Sequence, residues 1–210
     1  MNLHLSRPWQ QRWVFALLGG LVALSGWLGT DSTGAQQLPG GGGGKNIVIV
    51  TNVQNEGTQI RGMVQLNRIP GPSAAPSNIA MARNSCTQQC QSLAVALQIN
   101  VISLNTYLAA PENAAVAGNS GCTGGGCVAV AWAIQYVVAV QDPTKELSPN
   151  IQTAVTTLNR ELIAVSTSGL DICAAAQRIN SVIDSFAGLA ASLYAQQINE
   201  QPNSIPCPLP

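Results

Sequence analysis

The chain has 210 residues, with nine Lys/Arg against nine Asp/Glu, and charged residues make up only 9% of it. An ordinary globular protein carries roughly 25%, so polarity here rests on Asn and Gln, and no basic stripe exists to hold nucleic acid or an anionic membrane surface. The single histidine is His4, which excludes Ser-His-Asp and Cys-His nucleophiles and imidazole metal sites from the chain beyond its first residues.

Residues 1–35 have the layout of a secretory signal peptide. His4, Arg7 and Arg12 form a positive start, Val14 to Leu28 is apolar, and Thr33-Gly34-Ala35 supplies small residues for cleavage. A retained N-terminal membrane anchor is the rival reading, because the apolar stretch approaches spanning length. Cleavage leaves about one domain's worth of chain, with seven Lys/Arg against eight Asp/Glu. Such weak net charge favours self-association, and a homo-oligomer or a partner in the cell envelope is expected.

Residues 36–45 read as a glycine-rich tether, with Gly40 to Gly44 consecutive. A phosphate-binding loop is excluded, because Pro39 stands where its first glycine is needed and Asn46 follows Lys45. Residues 46–70 predict a β-hairpin: Asn46 to Thr51 and Gln59 to Leu66 are rich in β-branched residues, and Asn55-Glu56-Gly57 marks a turn. The proline-rich run Ile69 to Pro76 then leads into a repeat domain over 71–200.

That domain holds a tandem unit. Asn78-Ile-Ala-Met-Ala82 leads through Cys86 and Cys90 to Ala94-Val-Ala-Leu-Gln98, and Asn113-Ala-Ala-Val-Ala117 leads through Cys122 and Cys127 to Ala131-Trp-Ala-Ile-Gln135. Two similar supersecondary units packed on each other follow. The cores Ser92 to Leu104 and Val128 to Val140 are apolar nearly all round. Their β-branched content suits buried strands, but their length favours helices, and Gln91, Gln98 and Asn105 recur at sevens. Helix is the expectation.

Farther on, Ile151, Val155, Leu158, Leu162 and Val165 make an apolar stripe, with Asn150 as N-cap and Gly169 as terminator. A second helix is expected from Ile172 to Ile198, capped by Asp171. Pro149-Asn150 also repeats the proline-asparagine start of the two units, as a degenerate third would. Residues 201–210 form a proline-rich tail that cannot be helical.

Six cysteines in an exported chain read first as disulfides, with fifteen possible pairings. The expected set is Cys86–Cys90, Cys122–Cys127 and Cys173–Cys207. Two functional readings compete with it: a four-cysteine zinc or iron–sulfur site, and a thiol–disulfide exchange centre, although neither pair has the C-x-x-C spacing. Carboxylates are scattered, so acid–base chemistry has no evident pair. Trp132 and Tyr136, four residues apart, read as core, with an aromatic ligand-binding patch as the sharper alternative.

At these residues the chain resembles a family of uncharacterised exported bacterial proteins that carry tandem N-x-A-x-A…C-x-x-C…A-x-A-x-Q units. Those units often stand behind an N-R-I-P-G-P linker, here Asn67-Arg-Ile-Pro-Gly-Pro72. The likeness runs from about Asn46 to Phe186. Similar units occur at the ends of some proteins classed as membrane peptide zinc metalloproteases. The H-E-x-x-H helix of those enzymes is absent here, so the resemblance implies no protease activity. The cysteine spacing also departs from the family's, with three and four intervening residues.

The expected fold is mainly α: a compact, disulfide-stabilised helical bundle built on a tandem repeat with an N-terminal β-hairpin (α+β). The expected function is a non-enzymatic structural or interaction module, secreted or held in the cell envelope, with no cofactor and no metal. The alternative is redox or metal binding by the repeat cysteines.

Overall fold

The computed structural model describes residues 43–145, 149–193 and 196–198, all inside one unit spanning 37–210. The expected signal peptide, most of the tether and the tail 201–210 lie outside the described residues. The elements run β1 (Lys45–Asn52), β2 (Thr58–Ile69), β3 (Ser73–Ala74), β4 (Ser77–Ser85), β5 (Gln91–Ser103), β6 (Leu108–Ala109), β7 (Glu112–Ser120), β8 (Val128–Val140), α1 (Pro149–Ser166), α2 (Ile172–Ser192) and β9 (Gln196–Ile198).

The strands pair by coil. β1, β4 and β7 form one parallel sheet, and β2, β5 and β8 form a second, whose β8 edge carries antiparallel β9. β3 and β6 form a two-residue parallel sheet at the corner. Each turn of chain therefore contributes one strand to each main sheet and stacks on the next in register. That is a three-coil parallel β-solenoid, in which no coil buries its faces without a neighbour.

This overturns the expected helical bundle. Ser92 to Leu104 and Val128 to Val140 are strands, and residues 46–70 are not a hairpin. β1 pairs with β4 and β2 with β5, each in parallel, while the Asn55-Glu56-Gly57 turn carries the chain from one sheet to the other. The physical reason is burial on both faces. Leu93, Val95, Leu97, Ile99 and Val101 point toward the helices, while Ala94 and Ala96 point toward the first sheet. A strand covered on both sides reads as a continuous apolar run, as parallel strands generally do.

The two faces differ in size. Between the sheets lie Val48, Val50, Ala80, Ala82, Ala94, Ala96 and Ala133, small side chains that let the layers close on each other. On the other side the large residues meet Leu158, Leu162, Ile172, Ile179 and Phe186 of α1 and α2. Full burial of such side chains stabilises by about 1.5–3 kcal/mol each, so the helix layer supplies most of the apolar gain. α1 approaches closely because residue 62 is glycine: a Cβ there would stand 2.9 Å from Leu162 Cδ1.

Both C-terminal helices form, with altered ends. Asp171 caps α2 as expected, its carboxylate accepting from the amides of Cys173 (2.8 Å) and Ala174 (2.9 Å). Pro149-Asn150 opens α1 rather than a further coil, with Pro149 at its first position. α2 stops at Ser192, so the expected continuation to Ile198 is replaced by β9.

Candidate functional site

The polar groups inside the solenoid form ladders. Asn46, Asn78 and Asn113 stand in register, each amide donating to the carbonyl oxygen of the next at 2.9 and 2.8 Å. Their NH2 groups also reach carbonyls of the second sheet: Asn46 reaches Leu97, Asn78 reaches Ala96 and Ile134, and Asn113 reaches Ala133. A second register holds Asn52, Asn84 and Asn119. Asn67 donates to Asn100 at 2.9 Å, and Gln135 donates to Gln98 at 2.6 Å. Seven of these amide side chains are fully buried, and each is engaged in holding coil to coil.

Sequence reasoning missed most of this. The tandem unit includes Asn78 and Asn113 but not Asn84 and Asn119, six residues on. The signal was present: N-x-V-x-V-x-N at 46–52, N-x-A-x-A-x-N at 78–84 and again at 113–119. Strict period two puts all four residues on one strand face, and the first copy marks residues 46–69 as a coil that lacks the cysteines.

The cysteines sit in the turns between sheets. Cys86 and Cys90 join β4 to β5 with Cα atoms 6.4 Å apart, and Cys122 and Cys127 join β7 to β8 at 6.2 Å; both are disulfide pairs within the usual range. The turns stack, Gln89 N donating to Gly125 O and Gly124 N to Thr87 O at 2.9 and 2.8 Å. Their shape repeats too, for Glu56, Gln89 and Gly126 hold equivalent positions with φ of 57°, 49° and 71°. The sulfur atoms of Cys86, Cys90 and Cys127 lie within 4.8 Å of one another. Cys173 is also disulfide-bonded; its expected partner, Cys207, lies outside the described residues.

Trp132 and Tyr136 are only 2% and 8% exposed. They face the helix layer, where Tyr136 meets Phe186 with ring centroids 5.5 Å apart, so the aromatic patch considered from the sequence is core. Three of the described carboxylates serve structure. Glu112 accepts from Ser77, Glu56 from Gln88, and Asp171 caps α2. The Thr144 hydroxyl and amide hold the Asp142 carboxyl below the usual 3.8.

Two surfaces remain. The outer face of the first sheet presents Ile47, Ile49 and Val116 at 46, 51 and 51% exposure, beside half-buried Ile79 and Met81. At the far end of the stack β7 is the edge strand, with no further described strand paired to it. No described helix is long and apolar enough to cross a membrane. Comparison with protein-family models, with curated proteins and with solved structures finds no match.

Proposed function

We propose that the chain is an exported, non-enzymatic structural or interaction module of the cell envelope or extracellular space. The supporting observation is where its polar chemistry goes. The buried amides bind backbone carbonyls and one another between coils, and two local disulfides close the turns above them. Disulfides of this kind persist in oxidising compartments. The exposed isoleucines and valine of the first sheet then offer a contact face of the sort interaction surfaces use. Fractionation of the host followed by alkylation and mass mapping tests this. Cysteines 86, 90, 122 and 127 protected as disulfides, in protein recovered outside the cytoplasm, support the reading; alkylated thiols in cytosolic protein overturn it.

One observation favours a second reading. The three clustered sulfurs at Cys86, Cys90 and Cys127 would, if reduced, give three thiolates to a soft metal. Bound zinc or iron in the natively isolated protein, together with free thiols, would establish it.

A further inference from the structure

We infer that a second copy of this chain seats on the open end of the third coil, its β1 adding in parallel to β7 and its β2 lying along the start of β8. This rests on the reading of the chain as a structural module and supplies its partner.

The two ends of the solenoid are not alike. The sheets are offset, so β1 packs against both β2 and β5, β4 against both β5 and β8, and β7 against β8. The inward side chains of β7 are therefore covered from one side. Ala80 and Ala82 are 0 and 1% exposed, yet their register equivalents Ala115 and Ala117 are exposed, as is Asn119 beside buried Asn84.

The ladder shows what that end is shaped to receive. Asn52 donates to the carbonyls of Gly57 and Gln91, and Asn84 to those of Cys90 and Val128, one from its own coil and one from the coil above. Asn119 donates to Cys127, the lower member of its pair. In register, the upper member would come from the residue equivalent to Thr58, Gln91 and Val128. A second copy brings Thr58 to that place.

Charge points to the same occupant. Lys45, Ser77 and Glu112 form one column on the sheet surface, with Lys45 on the first strand and Glu112 on the last, both exposed. Stacking head to tail sets the Lys45 of one copy over the Glu112 of the next. The β7 edge from Glu112 to Ser120 carries no proline and no lysine, the devices that ordinarily block edge pairing. β9 already covers β8 at Gln135 to Val137, and Asn159 accepts from the Val64 amide on β2. The contact is thus confined to β7 and the Val128–Ala133 half of β8, facing β1 and Thr58–Met63. Such an interface joins two different surfaces and does not close on itself, so it grows in line.

The test is sedimentation of the full exported protein over a concentration series, with an alkylation map of the same sample. Association should strengthen with concentration. Ala115→Lys/Ala117→Lys, at positions exposed in the single chain, should keep circular dichroism and the thermal midpoint while weakening association by about tenfold or more. Glu112→Lys and Lys45→Glu should each weaken it about twofold to fivefold, and mixing those two variants should restore it. Protein that stays monomeric throughout, or association untouched by the paired lysines and by both charge variants, overturns the inference. Intact disulfides in either case leave the proposed function standing, whereas free thiols would remove that reading independently of any association.

Discussion

The side chain of Asn84 donates to Asn119 at 2.7 Å across two coils, and the same NH2 group serves the carbonyls of Cys90 and Val128 at 3.0 and 2.8 Å. One amide thus satisfies backbone groups in two successive coils at the sheet-to-sheet turn. Asn84→Ala should cost about 2–4 kcal/mol, because it leaves buried acceptors without donors. Asn119→Ala, at the exposed end of the ladder, should cost about 0.5–1 kcal/mol. Urea unfolding of the two variants measures the difference; equal losses would show that burial is not what gives the ladder its value.

The thin interior predicts an inversion of the usual rule for hydrophobes. Ala96 and Leu97 are adjacent and both fully buried, one facing the alanine layer and the other the helices. Leu97→Ala should cost about 2–5 kcal/mol by opening a cavity. Ala96→Leu should cost about 1–3 kcal/mol although it adds apolar surface, because the sheets must part to admit it. Thermal denaturation that found Ala96→Leu stabilising would contradict the packing described.

Gly62 and Leu162 form a coupled pair. A Cβ at residue 62 would meet Leu162 Cδ1, Cβ and Cδ2 at 2.9, 3.1 and 3.1 Å, so Gly62→Ala should destabilise by about 1–3 kcal/mol as α1 is pushed from β2. In the Leu162→Ala background the same change should cost clearly less, and a double-mutant cycle reads that coupling.

The disulfide pair Cys122–Cys127 closes a short loop, which the chain-entropy account values at about 2 kcal/mol. Replacing both cysteines by serine should lower stability by about that amount while leaving the far-ultraviolet circular dichroism unchanged. Loss of β signal would mean the pair holds the coil itself rather than its turn.

Stability should respond weakly to pH near neutrality. No histidine follows His4, so no imidazole titrates in the described residues between roughly pH 5 and 8. Hydrogen bonds from the Thr144 hydroxyl and amide depress the Asp142 carboxyl. A depressed carboxyl stabilises above its unfolded value and loses that contribution as pH falls through the lower folded one. Scanning calorimetry should find a flat thermal midpoint across neutrality and a decline only in acid; a marked step near pH 6 would refute this.

By itself, the sequence determined the local features. The two close cysteine pairs, the apolar stripes of α1 and α2 and the Asp171 cap all depend on residues within a few positions of each other, where spacing and side-chain chemistry suffice, and the tandem unit needs only a direct comparison of two stretches of chain. Only the tertiary structure decided that Gln91–Ser103 and Val128–Val140 are strands and that β1 and β2 part into separate sheets. A run such as Ser92 to Ser103, buried throughout, has no exposed face to reveal its period, and what distinguishes its two sides is size, alanine against leucine, which a count of hydrophobic residues cannot register. The partners that settle it, one coil away, stand 32 to 37 positions along the chain, and their hydrogen bonds exist only once the coils have stacked.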